Sequence, residues 1–341
     1  MHLPRFEYVR PEDTGHCLSL LRELKGRAAV MAGGTDLLSS MGQRLIVPRV
    51  VIGLRWLEEL RGASFDDDGS LNVAAGTTLT TLVEHPLIEE RFPMLHKAVR
   101  SVASAHVRNM ATLGGNLALP TRCWYTNQTE GWRKARAGCF KTDREACHVL
   151  ATSQHCVATS SADTVPALIA LDACVTLRSA GGEREVPLGE FYRDDGAHPS
   201  VLEPDELITR IRVPACHARA TFAKVTPREG IDFGLGTIAV TVHGTNRRVA
   251  SVAIVVNSIV SRPIRLRAAE EIVLTEGLSA RSIEAAAGAA RPDLGEVTNL
   301  WSPAGYKRRL VRVLLARALE EVRRQKPPGP VRVAGTAEVT A

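Results

Sequence analysis

The sequence has few aromatic side chains and no long apolar run. Phe, Trp and Tyr make up 4% of the 341 residues, which leaves few stacking platforms for a single nucleic-acid strand. The longest apolar stretches, residues 165–177 and 249–260, contain polar residues, and neither reaches the roughly 20 apolar residues of a membrane span. The N-terminus has no apolar segment typical of a signal peptide. We therefore expect a soluble, cytoplasmic protein that binds no membrane.

The charge pattern does not indicate a nucleic-acid partner either. The net charge is +6, but the 43 basic residues are scattered among 37 acidic ones. Only residues 307–324 concentrate basic side chains, with Leu and Val between them, which is typical of the solvated face of an amphipathic helix. We therefore expect no nucleic-acid binding.

The sequence also lacks the short motifs of several enzyme classes. No G-x-G-x-x-G opens a helix and no G-x-x-x-x-G-K-[ST] occurs, which excludes the Rossmann and P-loop nucleotide sites. G-x-S-x-G and H-E-x-x-H are absent as well, which excludes hydrolases with a nucleophile elbow and zinc peptidases. We therefore expect no catalytic nucleophile or general base in this chain.

Short apolar strands alternate with amphipathic helices, which predicts a mixed fold of the α/β or α+β class. The length is typical of two to three domains, and a boundary is expected near residues 214–218. Beyond it, three predicted strands precede two predicted helices, which indicates an α+β C-terminal domain. The predicted strands are residues 6–9, 28–32, 49–54, 220–225, 237–243 and 248–256, and the predicted helices include 11–25, 282–290 and 306–324.

Two glycine pairs stand next to polar side chains. Gly33-Gly34-Thr35-Asp36 follows a predicted strand, and Gly114-Gly115-Asn116 lies further along the chain. Because glycine has no Cβ, backbone N–H groups in such turns can approach an anion closely. Each segment alone is equally consistent with a tight turn that binds no ligand.

The cysteines are unevenly distributed. Four of the seven, Cys123, Cys139, Cys147 and Cys156, fall within a polar segment without clear periodicity, residues 121–158. A loop of this length inside a compact domain is expected to be ordered by a bound ligand or metal. The spacing lacks the paired C-x-x-C of a zinc ribbon and differs from ferredoxin runs. Four thiolates in one loop favour a 4Fe-4S cluster, with zinc or unligated cysteines as the alternatives.

The motifs taken in order resemble a known family. They are Ala32-Gly33-Gly34-Thr35-Asp36-Leu37, Thr112-Leu-Gly-Gly-Asn116, Asp163-Thr-Val-Pro-Ala-Leu, and Phe222-Ala-Lys224 with Arg228 and Asp232. This order resembles the FAD-binding medium subunits of the molybdenum hydroxylases, the group that includes carbon monoxide dehydrogenase and the flavin domain of xanthine dehydrogenase. The resemblance covers residues 1 to about 325. It implies an α+β, two-subdomain FAD-binding fold of the PCMH/vanillyl-alcohol-oxidase type, followed by an α+β C-terminal domain.

The resemblance also implies domain limits and FAD contacts. The FAD-binding domain would span residues 1–215, in subdomains 1–57 and 58–215, and the C-terminal domain 218–325, with a disordered tail at 326–341. The glycine segments would wrap the FAD diphosphate and ribityl chain, and Asp163 would accept hydrogen bonds from the adenosine half. Lys224 and Ile208, or its neighbour Leu207 in place of Ile208, would lie at the isoalloxazine ring. A core aliphatic and a surface lysine are the alternatives for Ile208 and Lys224. The implied FAD-binding residues are Val30, Met31, Ala32, Gly33, Gly34, Thr35, Asp36, Leu37, Thr112, Leu113, Gly114, Gly115, Asn116, Asp163, Ile208 and Lys224.

The cysteine loop departs from most of that family, because 47 positions separate Asn116 from Asp163. In this respect the chain is similar to the beta subunits of 4-hydroxybenzoyl-CoA reductases, in which an inserted loop carries an extra 4Fe-4S cluster. The similarity implies Cys123, Cys139, Cys147 and Cys156 as cluster ligands and ferredoxin as electron donor. It also implies a molybdenum-cofactor large subunit and a 2Fe-2S small subunit as partners, in a heterotrimer that dimerises to a heterohexamer.

These observations leave three alternative hypotheses for the function of the chain. The first is an electron-transfer subunit of a molybdenum-dependent reductase that converts 4-hydroxybenzoyl-CoA into benzoyl-CoA. The second is the flavoprotein subunit of an oxidative molybdenum hydroxylase, in which the cysteine loop holds structural zinc. The third is a scaffold or maturation factor that binds no flavin. Metal and flavin content distinguish the three.

Overall fold

The computed structural model describes residues 2–228, 231–294 and 302–326, and the chain is built around three separate sheets. Most of the tail predicted to be disordered, residues 327–341, lies outside the described residues. None of the helices within the described ranges is both long enough and apolar enough to cross a membrane.

The first sheet is parallel and small. Its strands pair in the order β1-β3-β2, and two helices connect them. Helix α1 begins after Asp13, whose side chain accepts a hydrogen bond from the backbone N–H of His16, and ends where Lys25 adopts a left-handed conformation. The elements are β1 (Glu7–Val9), α1 (Thr14–Leu24), β2 (Ala28–Met31), α2 (Leu37–Gly42) and β3 (Val50–Gly53).

The second sheet is antiparallel and has five strands in the order β4-β5-β8-β6-β7. Its strands come from both sides of the cysteine loop, so the loop is an insertion between elements of one core. The strands are β4 (Ala63–Phe65), β5 (Leu71–Ala74), β6 (Cys174–Ser179), β7 (Gly182–Pro187) and β8 (Leu207–Val213). The helices are α3 (Leu79–Val83), α4 (Pro86–Arg91), α5 (Pro93–Arg100), α6 (Ala105–Arg108), α7 (Leu113–Leu117), α8 (Glu130–Lys134), α9 (Val165–Ala170) and α10 (Leu188–Phe191).

The third sheet is antiparallel, in the order β12-β11-β10-β9, and three helices pack against it. In the last of these helices the apolar side chains face the sheet and most basic ones face solvent, as predicted for an amphipathic helix. The elements are β9 (Arg219–Val225), β10 (Gly236–Gly244), β11 (Val249–Asn257), β12 (Ile264–Arg265), α11 (Arg267–Glu276), α12 (Ala280–Ala289) and α13 (Ala304–Arg324). Short 3-10 helices cover Glu58–Leu60 and Pro292–Leu294.

The mixed helix and sheet content confirms the α+β prediction, and each sheet falls within one predicted domain or subdomain. The domain limits themselves stay a prediction. One local expectation was wrong: Gly114 and Gly115 lie inside helix α7, whereas the sequence predicted a tight turn there. The helix forms despite its glycines because Thr112 caps it, accepting a hydrogen bond from the backbone N–H of Gly115 at 3.1 Å.

Candidate functional site

A cavity of about 1060 Å³ opens between the sheets. Its wall is formed by the turn after β2, helix α7, the segment leading into β8, the first part of the cysteine loop and the segment after β9. Pockets for drug-sized ligands range from about 300 to 1000 Å³, so this cavity suits a ligand as large as a dinucleotide.

The turn between β2 and α2 requires its glycines. A Cβ on Gly33 would overlap the backbone carbonyl of Met110, and Gly34 has a φ of +72° that other residues rarely adopt. Only glycine therefore fits at these two positions. As a result, the backbone of the turn lies in the cavity wall without side chains in the way.

The two glycines of the second pair have different structural roles. Gly114 packs against β5: its N–H donates to the Ala75 carbonyl at 2.8 Å, and a Cβ would lie 2.7 Å from the Cβ of Ala75. A Cβ on Gly115 would meet only the Thr112 hydroxyl, at 3.0 Å. Gly114 is therefore required for packing, whereas Gly115 keeps the cavity side of the helix open.

Asp163 carries a carboxylate oxygen that is free to accept a hydrogen bond. Its Oδ2 accepts from Lys224 Nζ at 2.7 Å, and Lys224 also donates to the Ser101 carbonyl at 3.0 Å. Within the described residues, Oδ1 is buried without a hydrogen-bond partner, and so is Oγ of Ser161, which also lines the cavity. Burial raises the pKa of Asp163, and the Lys224 ammonium partly offsets that rise.

The unpaired oxygens of Asp163 and Ser161 indicate what kind of ligand the site fits. A buried acceptor without a partner costs free energy unless a ligand or water supplies the donor. The hydroxyl groups of a ribose or ribityl chain are such donors, and the glycine turn offers backbone N–H groups to a diphosphate. The donor set, the acceptor set and the size of the cavity therefore all fit FAD.

Most residues predicted to bind FAD line this cavity, with two exceptions. Leu113 is fully buried in the core of the second sheet, because it and Leu117 share the inner face of α7. Lys224 does not line the cavity, and its side chain is 8% exposed, so it is not a surface lysine. The lining residues are Val30, Met31, Ala32, Gly33, Gly34, Thr35, Asp36, Leu37, Thr112, Gly114, Gly115, Asn116, Asp163 and Ile208.

Asn116 acts on the neighbouring chain segment as well as on the cavity wall. Its Oδ1 accepts hydrogen bonds from Thr164, from the hydroxyl at 2.6 Å and from the backbone N–H at 3.4 Å. This bond ties α7 to the start of α9 and fixes the position of Asp163, which immediately precedes Thr164.

The cysteine loop lies against the same cavity. The predicted ligands Cys123, Cys139 and Cys156 all interact electrostatically with the ammonium of Lys141. The Cys147 sulfur accepts a hydrogen bond from the backbone N–H of Leu150 at 3.5 Å. Burial raises the pKa of Cys123, and raises the pKa of Cys156 to about 11.

In the part of the chain that the structure describes, no three Cys, His, Asp or Glu side chains are grouped closely enough to hold a metal ion. The residues as placed therefore do not form a coordination sphere for an iron–sulfur cluster or for zinc. The four-cysteine site stays a prediction.

Two basic residues of the cavity wall were missed from the sequence. Arg122 forms an ion pair with Asp36 and lies over the ring of Phe233, 5.4 Å from its centroid. Lys141 lines the cavity and donates to the Thr121 carbonyl at 2.8 Å. Neither residue belongs to a periodic pattern, because each reaches the cavity only through the folding of an irregular loop.

Comparisons with known proteins show the family of the chain. The family described as the FAD binding domain in molybdopterin dehydrogenase matches residues 4–216. The family described as the CO dehydrogenase flavoprotein C-terminal domain matches residues 221–322. The carbon monoxide dehydrogenase medium chain of Hydrogenophaga pseudoflava is 27% identical over 320 residues, covering 93% of this chain and 96% of that one. The nicotinate dehydrogenase FAD-subunit of Eubacterium barkeri is 28% identical over 287 residues, covering 82% and 83%.

Solved structures show the same relationship. Carbon monoxide dehydrogenase from Hydrogenophaga pseudoflava, in a form that lacks the Mo-pyranopterin moiety of the molybdenum cofactor, superposes with a TM-score of 0.78 at 26% identity, covering 94% of this chain and 98% of that one. Quinoline 2-oxidoreductase from Pseudomonas putida 86 shares the fold, with a TM-score of 0.77 at 22% identity, covering 95% and 98%. The chain therefore belongs to the FAD-binding medium subunits of the molybdenum hydroxylase family.

Proposed function

We propose that this chain binds one FAD in the glycine-lined cavity and transfers electrons between that flavin and partner subunits of a molybdenum-dependent dehydrogenase. The observation that carries the proposal is the unpaired Asp163 Oδ1 in the wall of a dinucleotide-sized cavity that both glycine segments border. Bound FAD supplies two-electron and one-electron redox chemistry.

The chain's own residues would bind and orient the cofactor. The turn at Gly33 would present backbone N–H groups to the diphosphate, and Asp163 would accept from a hydroxyl of the nucleotide. Lys224 keeps the Asp163 carboxylate in place and compensates its charge. Ile208 lies in the wall as an apolar surface for a ring system.

The expected partners are a molybdenum-cofactor large subunit and a 2Fe-2S small subunit, in a heterotrimer that dimerises. In support, one relative is named a medium chain, and its solved structure is described in terms of a molybdenum cofactor. A cytoplasmic location stays a prediction.

The test is anaerobic purification of the native complex, followed by assays of flavin, molybdenum, iron, acid-labile sulfide and zinc. One FAD per chain together with molybdenum is the expected result. A complex without flavin or without molybdenum contradicts the proposal.

A second candidate function is favoured by the cysteine loop. Three of its four cysteine thiols interact electrostatically with Lys141, which lies in the wall of the proposed FAD cavity. A 4Fe-4S cluster there would suit a reductase of the 4-hydroxybenzoyl-CoA type, in which ferredoxin delivers electrons. The two named relatives are dehydrogenases, which favours the oxidative function. Zinc in the loop, or no metal, would also favour the oxidative function.

Replacing Cys139 by Ser separates the two candidates. In the reductase, Cys139→Ser removes about four iron and four sulfide per chain and leaves FAD bound, because Cys139 does not line the cavity. The iron and flavin contents of the purified variant measure this. Cys174→Ser, outside the loop, is the matched control. Iron content unchanged by Cys139→Ser contradicts the cluster assignment.

A further inference from the structure

Lys141 is a partly buried cation, and within the described residues it has no carboxylate partner. Its ammonium donates to the Thr121 carbonyl at 2.8 Å, and no carboxylate of the described residues is among the charges that act on it. A charge held in this way normally has an anion close by.

The ammonium of Lys141 lies in the wall of the cavity that the glycine turn also lines, and it binds the carbonyl of Thr121, the residue before Arg122. The neighbouring Arg122 forms an ion pair with Asp36, the residue that ends the Gly33–Asp36 turn. Arg122 is also one of the charges that act on Lys141. The two cations therefore lie together, but Asp36 balances only Arg122.

We propose that the Lys141 ammonium is the counter-charge of the FAD diphosphate, so that the cysteine loop completes the FAD site. The inference rests on the proposed function, since it requires FAD in this cavity. The turn supplies neutral N–H donors to the diphosphate, and Lys141 supplies the positive charge that the turn lacks.

The thiols of the loop are the competing anions. Cys156, Cys123 and Cys139 also act on the Lys141 ammonium. However, none of these three cysteines lines the cavity, whereas Lys141 and the glycine turn both do. A diphosphate bound in the cavity is therefore the better placed partner for this ammonium.

The test uses the full chain, freed of flavin, and measures dissociation constants for FAD by fluorescence and for ADP by competition with FAD. Lys141→Met is expected to weaken both by about 10- to 100-fold, the effect of losing one charged hydrogen bond. Lys141→Gln, which keeps a donor for the Thr121 carbonyl but no charge, should show the same loss. Lys141→Arg should retain most of the affinity. Lys134→Met on the exposed surface of α8 is the matched control and should stay within twofold.

Several results would overturn the inference. Unchanged FAD affinity in Lys141→Gln would show that the charge of Lys141 does not contribute to FAD binding. A Lys141→Gln variant that loses iron but retains FAD would show that the ammonium is the partner of the thiols and not of the diphosphate. Weaker FAD binding with unchanged ADP binding moves the contact from the diphosphate to the flavin half. Wild-type protein that binds neither FAD nor ADP would contradict the proposed FAD site itself. If the wild type binds FAD and the Lys141 variants bind it equally well, only the role of Lys141 is contradicted.

Discussion

Replacing Gly33 by valine is expected to empty the flavin site. The new side chain would overlap the Met110 carbonyl, which belongs to the backbone and cannot rotate away. The turn must therefore shift, and its N–H groups lose their alignment toward the cavity. We expect at least a 100-fold loss of FAD affinity, on the order of the two or more charged hydrogen bonds that the turn offers. FAD retained by the purified variant measures this effect.

Gly131→Val is the matched control for Gly33→Val. Gly131 lies in the exposed helix α8, where an added Cβ meets no atom within 4 Å. Full FAD occupancy in Gly131→Val together with loss in Gly33→Val supports the assigned turn. Equal occupancy in both variants would show that the diphosphate binds elsewhere.

Replacing Lys224 by methionine is expected to destabilise the fold by about 3 to 5 kcal/mol, because it leaves a buried carboxylate without its counter-charge. The two side chains are 8% and 7% exposed, and they join β9 of the third sheet to the start of α9. Urea unfolding of the flavin-free protein measures the free energy. Lys97→Met is the control: Lys97 forms an exposed pair with Glu321 at 3.9 Å, and its loss should cost at most about 1 kcal/mol.

The pH dependence of Lys224→Met has a definite sign. Burial already raises the pKa of Asp163, and loss of the ammonium raises it further. The folded variant then holds a proton that the unfolded chain releases, so its stability falls as pH rises from the ordinary carboxyl pKa toward the raised one. The variant should therefore lose more stability, relative to the wild type, at pH 8 than at pH 5. A destabilisation that is independent of pH would contradict the buried pairing.

Local patterns predicted the parts of the site that depend on short stretches of chain. The strand before Gly33 and the two glycine pairs are recognisable from composition and period, and most of these residues line the cavity. The orientation of Leu113 could not be predicted from the sequence, because Thr112 caps a helical turn in a segment whose two glycines disfavour a helix. The side chain of Leu113 consequently faces the core.

The features of the site that could not be predicted are contacts between residues far apart in the sequence. Arg122 is 86 positions from Asp36, and Lys224 is 61 positions from Asp163, yet each pair is in direct contact. No periodicity within one segment marks such pairs, since the partners lie in different elements or loops that only the folded chain brings together. The cysteine spacing predicts a shared site, and the structure adds that Lys141, in the wall of the cavity, interacts electrostatically with three of these thiols.

The most direct measurement of the central claim is the number of FAD molecules that the flavin-free chain binds, obtained by titration with FAD and followed by fluorescence. One FAD per chain, competed by ADP and lost in Gly33→Val, is the predicted result. A chain that binds no FAD, or that binds it equally well in Gly33→Val, would contradict the claim that the glycine-lined cavity is a flavin site.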